Sequence, residues 1–212
     1  MTITKYPQSC LKIEKDGRTL LVDVGTLATA EFGLKDFGHF DAVLFTHSHP
    51  DHFDPKFLPQ LIKAGATLYG NGDVAARADG SKVELVDDNE ELVVAGFKIK
   101  AHPMEHCLMT DGSPAGIPNT GYLLDDHLLL PGDSTEDVGI KAKVVAIPIF
   151  GPDISPHDAF KQSTDTEAEI VIPVHYDVAQ INPDVFKIFA GLGSESLKAK
   201  IHTLENGESI QV

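Results

Sequence analysis

The chain predicts a mixed α/β fold, and three observations carry that prediction. Short apolar runs of strand type recur from residue 10 to residue 174. Helical patterns are fewer, and the order of strands followed by a helix occurs twice. Several of the strand-type runs also end on His or Asp rather than on an ordinary turn. A length of 212 residues and a hydrophobic content of 42% suit one domain, 1–212, with a sizeable core.

The first strands are expected at 10–14 and 19–23, joined by Lys15-Asp16-Gly17-Arg18, a strong hairpin signal. Further strands are expected at 42–46, 67–69, 92–101, 120–124, 127–130, 144–149 and 170–174. Helices are expected at 55–64, 74–79, 155–164 and 183–192, the first capped by Asp54 with Pro55 in its opening turn. The acidic stretch Val86-Asp87-Asp88-Asn89-Glu90-Glu91-Leu92 reads as a solvated turn ahead of a strand. The chain has no internal repeat, low-complexity tract or linker.

The chemistry is concentrated in Thr46-His47-Ser48-His49-Pro50-Asp51-His52, which follows the apolar run Ala42-Val43-Leu44-Phe45. Imidazole and carboxylate are the nitrogen and oxygen donors that divalent metals of intermediate softness take. In an extended segment residues i and i+2 share a face, so His47 and His49 can converge on one ion. Pro50 then turns the chain and aims Asp51 and His52 at a second point nearby. The spacing therefore suggests two adjacent metals. Downstream, Ala101-His102-Pro103-Met104-Glu105-His106-Cys107, Leu128-Leu129-Leu130-Pro131-Gly132-Asp133-Ser134 and Ile170-Val171-Ile172-Pro173-Val174-His175-Tyr176 each bring a His or Asp to the end of a strand-like run.

Together these motifs resemble the metallo-β-lactamase superfamily of metal-dependent hydrolases, over nearly the whole chain. The resemblance implies an αββα sandwich of two mixed sheets flanked by helices. It implies His47, His49 and His106 on a first divalent ion, Asp51, His52 and His175 on a second, and Asp133 bridging the two. His102 is the alternative to His106; His106 is preferred because the polar stretch 110–119 follows it, where the family has its substrate-facing loop. Asp23 matches a position behind the ligands and is expected to orient a ligand imidazole. Two ions about 3.5–4 Å apart would lower the pKa of a shared water to about 7. The resulting hydroxide would attack a carbonyl or phosphoryl centre, with Asp51 orienting it and Asp133 fixing the metal spacing. His157 and Tyr176 are candidate substrate contacts. Thr120-Gly121-Tyr122-Leu123, Ile147-Pro148-Ile149-Phe150-Gly151 and the His175 motif are most similar to the L-ascorbate-6-phosphate lactonase-like branch. The implied activity is hydrolysis of a small lactone or ester. A phosphodiesterase or phosphate-ester hydrolase on the same site is the second reading, and a metal-binding protein without turnover the third. The donor set suits zinc, with manganese or iron as alternatives.

Composition narrows the partners. Lys and Arg number 17 against 32 Asp and Glu, a formal net charge of −15. No basic cluster is visible to displace counterions from a polyphosphate, so a nucleic-acid partner is not expected. Two divalent ions would reverse the field in their cleft, so an anionic small-molecule substrate is compatible with this charge. No apolar stretch reaches a membrane-spanning length, and the first residues carry no secretory pattern. Cys10 and Cys107 form no C-x-x-C pair and are expected to be reduced thiols, in a cytoplasmic protein.

Overall fold

The computed structural model describes residues 1–193, 195–198 and 200–212. In chain order the first half runs β1 (Thr2–Lys5), β2 (Leu11–Lys15), β3 (Arg18–Val22), α1 (Thr26–Glu31), α2 (Leu34–Phe37), β4 (Ala42–Leu44), α3 (Leu58–Lys63), β5 (Thr67–Gly70), α4 (Gly72–Ala76) and β6 (Glu84–Leu85). The second half runs β7 (Glu91–Val94), β8 (Phe97–Pro103), β9 (Thr120–Leu124), β10 (Leu128–Leu130), β11 (Val144–Pro148), α5 (Pro156–Asp165), β12 (Ile170–Val174), α6 (Asp184–Gly193), α7 (Glu195–Lys198) and β13 (Ser209–Gln211).

These strands form two mixed sheets, one ordered β13-β1-β2-β3-β4-β5-β6 and the other β12-β11-β10-β9-β8-β7. The alternation of side chains along a strand explains how each sheet is buried on both faces. Leu20 and Val22 of β3 point between the sheets, whereas Leu21 packs toward the helices of the first half. Likewise Val144 and Ala146 of β11 face inward, and Val145 and Ile147 face α5 and α6. Three apolar layers result: one between the sheets, and one under each set of helices. This is the αββα sandwich.

The hairpin expected at 15–18 forms, with Asp16 and Gly17 both at positive φ (51° and 75°). The single strand expected at 92–101 is instead a hairpin, β7 and β8, broken at Ala95 and Gly96, also both at positive φ. The helix expected from 55 begins only at Leu58, with Phe57 at its N-cap and no side-chain cap. Asp54 accepts hydrogen bonds from the Lys56 backbone (3.0 Å) and the Thr29 hydroxyl (2.7 Å), so it fixes the preceding turn instead. Strands β1, β6 and β13 and helices α1, α2 and α7 had no signal in the pattern. Among the described residues no helix is long and apolar enough to cross a membrane.

Candidate metal centre

The His-rich loop leaves the end of β4 and is held from beneath. Asp23, just past β3, has φ +50° and is almost wholly buried. Its carboxylate accepts from the Thr46 backbone and from the Thr46 hydroxyl, each at 2.8 Å. His49 O accepts from the backbones of His52 and Phe53, both at 2.9 Å, which closes a turn around Pro50 and Asp51. The loop after β3 presses on that turn: Thr26 N donates to Pro50 O (2.7 Å), and a Cβ at Gly25 would lie 2.0 Å from Asp51 O. Only glycine permits this approach.

The remaining groups come from the second sheet. His106 and Asp133 each lie three residues beyond the strand that delivers them, β8 and β10, and His175 directly follows β12. Gly132 has φ +63°, and a Cβ there would collide with Asn119 Oδ1 at 2.1 Å. Asn119 is the strut of this side: its Nδ2 donates to Met104 O (3.1 Å) and Pro131 O (2.9 Å), and its Oδ1 accepts from Asp133 N (3.2 Å). His175 sits at φ +62°, a conformation held by its neighbours rather than by its own preference.

The structure brings all seven expected residues together in two adjoining groups. His47, His49, His106 and Asp133 offer donor atoms within 4.8 Å of one another, as do Asp51, His52 and His175. Asp133 faces both groups. Its Oδ1 is 3.1 Å from His52 Nε2, and its Oδ2 lies 2.9, 3.6 and 3.9 Å from Nε2 of His175, His106 and His47.

The outer nitrogens of four imidazoles test whether these residues fit a metal. His52 Nδ1 donates to Asp23 Oδ2 (2.8 Å), His106 Nδ1 to Cys107 O (2.8 Å) and His175 Nδ1 to Phe150 O (2.5 Å). The Thr46 hydroxyl, having given its proton to Asp23, accepts from His47 Nδ1 at 3.0 Å. Each of these acceptors holds a proton on Nδ1, so that in the neutral ring it is Nε2 whose lone pair is aimed into the cluster. The buried Nε2 atoms of His47 and His52 and Oδ1 of Asp133 have no hydrogen-bond partner. Buried orphans are costly, so this is a donor set shaped for cations. His49 differs, presenting Nδ1 3.0 Å from His106 Nε2.

The electrostatics of the metal-free site agree. Burial drives the His47 imidazole well below its ordinary value, and the nearby His52 adds to this. For His52 burial acts against the cation, yet Asp133 and Asp23 hold it well above its ordinary value. Burial likewise opposes the His175 cation, but Asp133 and Asp51 raise it to about 9. Asp51 and Asp133 are held well below the usual carboxylate range: burial opposes ionisation, but His175 and His52 outweigh it at both carboxylates. Two imidazolium–carboxylate pairs thus balance one another where divalent cations would bring their own charge.

Other expected candidates lie elsewhere. His102 is on β8, paired with Gly121, and faces away from the intersheet layer that Ala101 enters; it joins neither donor group. Cys107 is beside the centre, in the loop after β8; its backbone donates to Asp133 O (2.8 Å), and burial, reinforced by Asp133, pushes the thiol up to about 12. Tyr176 is buried, donating to Leu204 O (3.0 Å), and does not reach the cluster. His157 lines a separate apolar groove with Phe160 and Phe189. Sequence reasoning missed Asn119 and Gln8, whose side-chain amide donates to Asp51 Oδ2 at 2.9 Å. It also missed Asn71, which ties the Thr46 carbonyl to Thr120.

A two-sheet sandwich with histidines and aspartates gathered where its strands end defines a class of metal-site scaffold. The chain belongs to the family described as the Beta-lactamase superfamily domain, which it matches over residues 2–175. It is similar to a Mycobacterium tuberculosis protein, 28% identical over 217 aligned positions that cover 99% of each chain. It is also similar to a metal-dependent hydrolase of Methanopyrus kandleri, 27% identical over 232 positions covering 100% of both. Among solved structures it is similar to Igni18, a metallo hydrolase of Ignicoccus hospitalis, with a TM-score of 0.75 at 21% identity, covering 99% of this chain and 97% of that one.

Proposed function

We propose that this protein is a metal-dependent hydrolase that opens a small lactone or ester at a centre of two divalent ions, zinc in the first instance. The observation that carries the reading is the pair of donor groups sharing Asp133, with four outer nitrogens pinned and the inner nitrogens of His47 and His52 without a hydrogen-bond partner. His47, His49 and His106 would hold one ion, Asp51, His52 and His175 the other, and Asp133 both. Bound there, the ions would supply Lewis acidity toward the scissile carbonyl and activation of a water. The two aspartates differ in access: the Asp133 side chain is 4% exposed and the Asp51 side chain 26%. Asp133 is therefore suited to bridging, and Asp51 to meeting water. Gln8 donates to Asp51 Oδ2, which leaves Oδ1 free to orient the attacking water.

Beside His106 opens a cavity of about 650 Å³, a volume suited to a small molecule. Met104, Leu108 and Ile117 give it apolar walls, Asp88, Glu105 and Glu136 add carboxylates, and no Lys or Arg among the described residues lines it. A phosphate held there would face like charge. This favours the lactone or ester over the phosphodiester, and leaves the two ions as the attraction for any anionic group of the substrate. The resemblance to the L-ascorbate-6-phosphate lactonase-like branch supports a lactone as the scissile group. A small molecule is the only partner the reading needs, and two free thiols, Cys10 and Cys107, support the cytoplasm as its compartment.

The test is a hydrolysis screen of zinc-loaded and EDTA-treated protein on aliphatic lactones, p-nitrophenyl acetate and bis-p-nitrophenyl phosphate. Lactone or ester turnover that is lost on chelation and restored by metal is expected, with the phosphodiester at least about tenfold slower, a difference of about 1.4 kcal/mol. Faster phosphodiester turnover would favour the second reading. Chelated protein working at the original rate would reject the metal mechanism, and a full metal complement without either activity would leave a metal-binding protein.

A further inference from the structure

We propose that Gln8 is the positioning residue of the Asp51–His52–His175 group and controls how tightly that group holds its ion. This rests on the two-ion reading above but not on any substrate. Gln8 lies in the loop between β1 and β2, fully buried, with φ +66°. All four of its polar groups are used. Its backbone N donates to Asp177 Oδ2 (2.7 Å), and its backbone O accepts from His175 N (3.1 Å). Its side-chain Oε1 accepts from Val178 N (3.2 Å), and its Nε2 donates to Asp51 Oδ2 (2.9 Å).

The partners dictate the orientation of the amide. A backbone N–H can only donate and an ionised carboxylate can only accept, so Oε1 must face Val178 and Nε2 must face Asp51. Among side chains of this length, the amide alone accepts at one branch and donates at the other without having to take up a proton. Three of these bonds seize the segment 175–178 that carries His175, and the fourth reaches Asp51, 43 positions away along the chain. Asp51 and His175 enter from different sheets, and Gln8 is a residue that bonds to both. Asp177 is itself anchored by the buried Lys5, whose Nζ lies 3.0 Å from its Oδ2 and also donates to Asn206 Oδ1. The left-handed backbone of Gln8 and that of His175 are thus over-determined by the same set of bonds, as strain at a functional site requires. By contrast, His47, His49 and His106 make no hydrogen bond to Gln8 among the described residues, so its influence is confined to one group.

The experiment is a zinc titration of metal-free protein against a chromophoric chelator, with the visible spectrum of each cobalt equivalent as a second readout. Wild type, Gln8→Glu and Gln8→Met are compared, with melting temperatures of the metal-free proteins. Gln8→Glu keeps both backbone bonds and an acceptor for Val178, and, ionised at the pH of the titration, replaces the donor to Asp51 with an oxygen that repels it. In both variants the first equivalent is expected to bind as in wild type. The second should weaken by about 10- to 100-fold, with a changed cobalt spectrum. If Gln8→Met does not fold, Gln8→Glu decides. Second-equivalent binding that is unchanged or tighter in Gln8→Glu overturns the proposal, as does equal weakening of both equivalents. A wild-type protein that takes up a single equivalent overturns it at its root, whereas a protein that binds two ions and hydrolyses nothing leaves it standing.

Discussion

Four Nδ1 atoms with oxygen partners decide which face of each imidazole is available, and Asp23 supports two of them, His52 directly and His47 through Thr46. Asp23→Asn keeps the size but turns one acceptor into a donor, so either Thr46 or His52 loses its bond. Metal affinity is expected to fall about 10- to 100-fold, read by chelator competition. The raised imidazoles make metal uptake a proton exchange. His175, ordinarily near 6.5, is held at about 9 in metal-free protein, so its cation stabilises that state fully below pH 6.5 and is lost as pH rises through 9. Metal needs the neutral ring, and His52 is raised in the same direction. Zinc binding at pH 7 is therefore expected to release about two protons and to tighten as pH rises toward 9. Calorimetry in buffers of differing ionisation enthalpy measures the release; binding heats independent of buffer would contradict it. The histidines were legible because their residue types are rare together and their spacing is strict. Gln8 and Asn119 were not, since a lone amide in a loop acquires meaning only from partners 43 and 14 positions away.

At the level of elements, three of the four strands that deliver donors were readable as they stand; the fourth, β8, was merged with β7. Buried on both faces, β4, β10 and β12 show as unbroken apolar runs. Strand β13, Ser-Ile-Gln, has no such run and exists because β1 offers it an edge. Helix α1 buries only Ala28, so no apolar stripe announces it. Its entrance nevertheless matters through Gly25. Gly25→Ala drives a methyl into the backbone of Asp51 and must displace either α1 or the ligand turn. A loss of about 3 kcal/mol or more is expected in urea unfolding, together with reduced metal content by mass spectrometry. A variant with wild-type values for both would show that the two loops are not in contact as described.

Across the whole molecule, 15 excess negative charges repel one another in the folded state. Raising potassium chloride from 10 to 200 mM shortens the screening length from about 30 to below 10 Å. The metal-free protein should therefore gain several degrees in melting temperature; a fall would mean that surface ion pairs outweigh the repulsion. The donor set carries a different lesson. Residues 47–52 belong to one sheet, and His106, Asp133 and His175 to the other. No short peptide contains the centre, and no partly folded chain offers more than one portion of it. During refolding, an ion can be captured in full only after the two sheets have met, so it acts as a latch on a finished sandwich rather than as a seed for it. Zinc added at the start of refolding should leave the rate of collapse, followed by tyrosine fluorescence, unchanged, while greatly slowing the reverse reaction.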